Sequence, residues 1–173
     1  MTDTTTRMTR LKVLAIISSL VFASLLGSSM AILTEPTTAY AQQQSQAFTA
    51  KLSGKDEVPP VNTQATGMAQ FQLSSDGKEI NYDLTATNLN GFMMAHIHQG
   101  NAGGNGQPVA PLSMGKGKIT SSDLKGPLAG KQISDLADLM KNGGAYVNIH
   151  TQQNQNGEIR GQIMSGSSSG GGQ

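Results

Sequence analysis

From Phe48 onward the chain alternates apolar and polar residues with a period of two, in short runs cut by turn-forming residues. Phe48, Ala50 and Leu52 alternate with Thr49 and Lys51, and Ala69, Phe71 and Leu73 alternate with Gln70 and Gln72. Ile80, Tyr82, Leu84 and Ala86 alternate with Asn81, Asp83, Thr85 and Thr87. Successive side chains of a strand point to opposite faces, so each run offers one face to a core and one to water. Pro59-Pro60, Asp76-Gly77, Asn90-Gly91, the glycine-rich run 100–106 and Asn156-Gly157 supply the turns between them. Many short strands at such intervals predict an all-β, antiparallel sandwich or barrel. One short helix interrupts the pattern. Ile133, Leu136, Leu139 and Met140 recur at helical spacing, with Ser134 as the expected cap and Asp135 and Asp138 placed favourably for the helix dipole. Asn142-Gly143-Gly144 would end that helix, and a strand follows directly.

The start of the chain reads differently. Arg7, Arg10 and Lys12 precede an apolar stretch from Val13 to Leu33, the pattern of an export signal, and Ala39-Tyr40-Ala41 offers small residues for cleavage after Ala41. The same stretch is long enough to cross a bilayer, for which about 20 apolar residues suffice, so retention would make it an N-terminal anchor. Either way the remainder is expected outside the cytoplasm, secreted or at the cell surface, touching membrane only through an uncleaved N-terminal segment. The expected organisation is a signal or anchor over 1–41, a polar spacer over 42–46, one domain over 47–164 and a flexible Ser/Gly tail over 165–173. The chain has no cysteine, which excludes a disulfide framework and a lipid-anchored cysteine. Beyond residue 41 there are nine basic and nine acidic residues, and no basic run or aromatic series points to nucleic acid.

The three histidines of the chain fall in two similar phrases, Ala95-His96-Ile97-His98 and Val147-Asn148-Ile149-His150. In extended backbone Met93, Ala95 and Ile97 share one face, and Met94, His96 and His98 share the other. Likewise Ala145, Val147 and Ile149 oppose Tyr146, Asn148 and His150. With the aliphatic residues in the core, the histidines face water or the underside of a loop. Each phrase leads through an Asn- and Gly-containing connection into another β-like run, which suggests two related hairpins able to bring the imidazoles together. A converged triad of neutral imidazoles suits zinc or copper, with a fourth position left to water. The alternative is that His96, His98 and His150, with Asn148 and Arg160, hydrogen-bond loop backbone and hold the glycine-rich loop. Both readings stand at this level. Glu158 and Arg160 are expected to pair with polar groups of a neighbouring strand. Asp56 and Glu57 read as solvated loop carboxylates, with cation binding as the alternative. The glycine-rich run lacks the lysine and strand-to-helix setting of a phosphate loop. No complete catalytic set emerges, so an enzyme is not the favoured reading.

The runs FTAKLSGKDEVPP (48–60), TGMAQF (66–71), AHIHQG (95–100), GPLAG (126–130) and AYVNIHTQQNQNGEIRGQI (145–163) occur in an order and spacing that resemble the CHRD (chordin-type) domain. The resemblance spans residues 48–164 and implies an all-β, immunoglobulin-like or dismutase-like sandwich or barrel. It also implies a secreted setting. With a fold and an export route but no complete catalytic set, the favoured reading is an extracellular interaction or structural module contacting an extracellular protein, a polymer or an envelope component; the alternative is a zinc or copper protein built on His96, His98 and His150 with a redox or sequestering role. Nothing resembles the cysteine-rich modules that accompany the domain in chordin, so growth-factor inhibition is not implied. The His96-Ile97-His98 pair is similar to a copper-ligand pair of copper/zinc superoxide dismutases, but three histidines are too few for their two-metal site.

Overall fold

The strands of this protein line up so that their apolar residues meet rung by rung. The structure is a computed structural model that describes residues 46–166. The expected signal or anchor over 1–41, residues 42–45 of the spacer and the tail from 167 lie outside the described residues. The elements are β1 (Ala47–Ser53), β2 (Thr66–Leu73), β3 (Glu79–Thr87), β4 (Phe92–Gln99), β5 (Pro108–Leu112) and β6 (Gly115–Thr120), then α1 (Ile133–Lys141), β7 (Ala145–Thr151), β8 (Ile159–Gln162) and β9 (Met164–Ser165). They form one antiparallel sheet in the order β5-β4-β7-β8-β1-β2-β3-β6, with β9 also on β1. The two ends of that order, β5 and β6, are consecutive in the chain and separated only by Ser113 and Met114. Such a short link forces the sheet to curl until its ends approach, giving the nearly closed barrel that the strand pattern predicts.

Phe48 faces Phe71 and Ala50 faces Ala69 across β1–β2, Leu84 faces Ala69 across β2–β3, and Ile80 faces Ile119 across β3–β6. On the other side Ala95 faces Ile149 and Ile97 faces Val147 across β4–β7, and Ile149 faces Ile159 across β7–β8. All of these are buried in one continuous core. The helix seals it with Ile133, Leu136, Ala137 and Met140, while Leu139 is only half-buried. The cap differs from expectation. Gln132 keeps extended backbone and its N–H donates to the Asp135 carboxylate at 2.8 Å, so Ser134 lies inside the first turn rather than capping it. Gly143, with φ +68, takes the left-handed position after the helix, as the Asn142-Gly143-Gly144 signal predicts.

The wet face expected of β1–β3 is present, with Thr49, Lys51, Gln70, Gln72, Asn81 and Thr85 exposed. β7 is different. It is buried on both faces except at the half-buried His150. At the sheet's end, the Lys125 N–H donates to the Val109 carbonyl at 2.8 Å and covers the outer edge of β5. Ser165 and Gly166, at the start of the expected tail, pair back onto β1. Among the described residues no helix is long and apolar enough to cross a membrane.

Removing the Leu84 side chain, which is fully buried, is expected to cost about 2–5 kcal/mol. Met164→Ala, at an exposed site, should change stability by less than about 0.5 kcal/mol. Urea denaturation of both variants measures the contrast.

Candidate metal centre

The register of β4 against β7 sets Met94 opposite His150, His96 opposite Asn148 and His98 opposite Tyr146. β8 continues two of these rows, with Asn148 opposite Arg160 and Tyr146 opposite Gln162. Since Ala95, Ile97, Val147 and Ile149 point into the core, every one of these polar residues stands on the outer face. Loops cover that face. The β4–β5 connection, the segment after β1 and the β7–β8 turn all close over it, leaving His98 only 8% exposed and His96 and His150 half-buried. Of the two positions the sequence allows for the histidines, the structure selects the one beneath loops.

The three imidazoles converge. Their ring centroids are 5.5 Å apart for His96–His150, 5.7 Å for His96–His98 and 5.9 Å for His98–His150. One nitrogen from each ring can be chosen so that all three lie within 4.8 Å of one another. Backbone carbonyls fix two of the tautomers. His98 Nδ1 is 2.9 Å from the Gly106 carbonyl and His150 Nδ1 is 2.9 Å from that of Gln155. A carbonyl only accepts, so each Nδ1 carries a proton, and in the neutral ring the lone pair falls on Nε2. Those two Nε2 atoms, and Nδ1 of His96, are buried without a hydrogen-bond partner. Burial holds His96 below the ordinary imidazole range, and the neighbouring His150 adds to the effect. Burial likewise lowers His98; the Gly106 carbonyl opposes that shift, while His96, His150 and Arg160 reinforce it. Both rings therefore stay neutral at neutral pH, the form that ligates metal.

Tyr146 and Arg160 fasten the loop over this face. The Tyr146 ring stacks on His98 at 5.0 Å, and the Arg160 guanidinium carbon sits 3.4 Å from the centre of the same ring. The tyrosine hydroxyl accepts the Gly106 N–H at 3.1 Å, and Arg160 donates to the Asn101 carbonyl at 3.0 Å and to Asn105 Oδ1 at 3.3 Å. Gly106 has no alternative residue, because a Cβ there would run into the Gln99 carbonyl. Of the five residues expected to hold the glycine-rich loop, His98 and Arg160 do so, while His150 holds the β7–β8 turn, Asn148 bonds Glu57 and His96 Nδ1 has no partner. One edge of each of the rings of His98 and His150 binds backbone, and the other edge faces the triad.

Glu57 corrects an expectation. It is not a solvated loop carboxylate but is only 6% exposed, and Asn148 Nδ2 donates to its Oε2 at 3.4 Å. Burial pushes its carboxyl up to about 7, against the opposing influence of Arg160 and the Asn148 hydrogen bond. Asp56 matches the expectation: it is exposed and accepts a hydrogen bond from Ser53. Gly157, at φ +135, makes room for Glu57, since a Cβ there would lie 2.7 Å from Glu57 Oε1 and 2.5 Å from Asn148 Oδ1. Glu158 pairs with polar neighbours as expected, accepting from Thr151 on β7 at 2.6 Å, from Thr63 at 2.8 Å and from Asn154 at 3.3 Å. Burial would raise Glu158, but these bonds outweigh it and hold the carboxyl below its usual value. Arg160 finds the loop and Tyr146 rather than a carboxylate. Tyr146 and Glu57 are the site residues that the sequence reading missed, and only Tyr146 carried a signal, its place on the histidine-bearing side of its strand.

The family model for the CHRD domain matches residues 48–163, two-thirds of the chain and every strand but β9. No curated protein and no solved structure matches the chain.

The buried Glu57 makes a pH-dependent contribution whose sign follows from its raised value. The unfolded chain ionises this group near its ordinary 4.5 and the folded chain near 7, so the folded state holds the extra proton between those limits. Glu57 therefore favours folding fully below pH 4.5 and loses that contribution as pH rises through 7. Glu57→Gln should gain stability relative to the parent from pH 5 to 7.5 and hold a constant difference above that range. A difference that does not vary with pH in parallel denaturation curves would contradict the assignment.

Proposed function

The chain belongs to the CHRD domain family, and from that premise we propose that it is an exported domain that binds one transition-metal ion, zinc or copper, through His96, His98 and His150. What supports the reading is the ring geometry: three nitrogens able to carry lone pairs lie within 4.8 Å of one another. Two of these rings donate their opposite N–H to backbone carbonyls. Metal-ligating histidines characteristically donate the second ring N–H in this way, which fixes the tautomer and aims the lone pair. Lone pairs buried without partners also carry a desolvation cost that a cation would remove. Three neutral imidazoles suit zinc or copper, and a donor set of this kind serves to capture and hold the ion, leaving a fourth coordination position. Export is the complementary part of the proposal. Arg7, Arg10 and Lys12 with the apolar stretch after them support it, and export would carry the ion-binding domain to the cell surface or beyond.

The test is metal titration of the purified protein with thermal unfolding as a second readout. One ion per chain is expected. Free metal at about 100 times Kd should stabilise the fold by about 2.7 kcal/mol. His98→Ala should abolish both uptake and the stabilisation. Because His96 and His98 resist protonation, the parent should retain metal into mildly acidic buffer. A parent protein that takes up neither zinc nor copper would sink the reading.

A further inference from the structure

Three imidazoles leave one coordination position, and the strands themselves limit what fills it. The β4–β7 ladder puts three other side chains beside the triad on its outer face: Asn148, Tyr146 and Met94. Asn148 gives its amide N–H to Glu57, and the Tyr146 ring is held between His98 and Arg160 with its hydroxyl on Gly106. Met94 has no such engagement. Its Cα is paired with that of His150, and it precedes His96 by two residues on the same side of β4. Directly opposed residues of an antiparallel pair hold their Cβ atoms about 4.5–5.5 Å apart, within reach of the flexible thioether arm of methionine. Met94 is 45% exposed, so its side chain is not committed to the core.

The backbone adds a second observation. Between Phe92 and Met94 the β4–β7 register shifts, two steps on β4 against one on β7, which makes Met93 an extra residue in a bulge immediately before Met94. A second irregularity on the β5 side falls between Ile97 and His98, where β5 carries the extra residue. The segment Met94 to His98 is thus bracketed by bulges, features that end regular pairing and re-aim neighbouring side chains.

We propose that the Met94 thioether is the fourth ligand of the triad and that the site for this reason selects copper, in its reduced form, over zinc. The inference rests on the metal-binding reading above. A thioether is a soft donor that favours Cu(I), whereas protein zinc sites draw on thiolate, imidazole and carboxylate. The chain has no cysteine to compete for the position. Neither buried carboxylate among the described residues bonds the triad: Glu57 accepts from Asn148, and Glu158 from Thr63, Thr151 and Asn154. Four neutral donors place no anionic charge on the ion, which suits a monovalent cation better than a divalent one. The ion binds without changing oxidation state.

Competition titrations of the full chain test this, with Cu(I) under anaerobic conditions against a chromophoric Cu(I) chelator and Zn(II) against a zinc chelator. The parent should bind Cu(I) more tightly than Zn(II). Met94→Leu, at an exposed position that leucine fills without disturbing the core, should weaken Cu(I) binding at least about tenfold and shift zinc affinity by less than about twofold. Met93→Leu, at the bulge, should leave both unchanged. X-ray absorption at the copper edge should show a sulfur neighbour in the parent and in Met93→Leu that disappears in Met94→Leu. Unchanged Cu(I) affinity in Met94→Leu, an all-nitrogen copper shell in the parent, or an equal loss in Met93→Leu would each overturn the thioether ligand. If His98→Ala still abolished uptake in those cases, the triad reading would survive; a parent that bound no metal at all would remove both.

Discussion

The site depends on one backbone pairing, β4 against β7, in the register that sets His96 opposite Asn148. A slip of one residue would turn every side chain of one strand to the other face and pull the imidazoles apart. The core prevents it. Ala95 against Ile149 and Ile97 against Val147 are both within 1% of complete burial, so the register that satisfies the hydrophobic core is also the one that gathers the histidines. Chemistry on the outer face is therefore specified from the inner face, by residues that never touch it.

Ligation and loop anchoring look like competing roles for a histidine when only the chain is read, yet the geometry leaves one ring room for both. Imidazole has two nitrogens on separate edges, and His98 and His150 each spend Nδ1 on a carbonyl and keep Nε2 for the triad. The loops then set the aim of the rings as much as the rings secure the loops. Arg160 adds to this from β8: its buried charge sits on the Tyr146 ring and on Asn101 and Asn105, fixing the loop while disfavouring a proton on His98.

Period-two alternation made the strands legible, because the apolar faces of β1, β2 and β3 all had to turn to one core. The same rule sorted Met94, His96, His98, Tyr146, Asn148 and His150 onto one side. Local pattern could not say which loops fold over that side, since that depends on the chain between β1 and β2 reaching β7. Glu57 shows the limit: it follows a lysine and an aspartate and precedes a valine and two prolines, the context of a solvated loop carboxylate, and the residue that hydrogen-bonds it is 91 positions away. The helix cap was missed for a smaller reason. Ser134 has the favoured cap chemistry, but the Asp135 carboxylate bonds the Gln132 N–H and starts the helix two residues earlier than a Ser134 cap would. The tetrahedral or trigonal nature of any metal shell is likewise not written in strand periodicity, only the set of side chains within reach.

The first strand among the described residues, β1, lies inside the sheet, between β2 and β8, with β9 also against it. Only β2 of these neighbours is close in sequence; the others are supplied by the last eight described residues. Long-range pairing of this kind makes folding slow and late. Until the final hairpin has been made, β1 presents an open edge and the polypeptide has no closed shape to commit to. A domain built this way closes only once β8 and β9 have been added, so a chain cut before residue 159 would leave one side of its innermost strand bare.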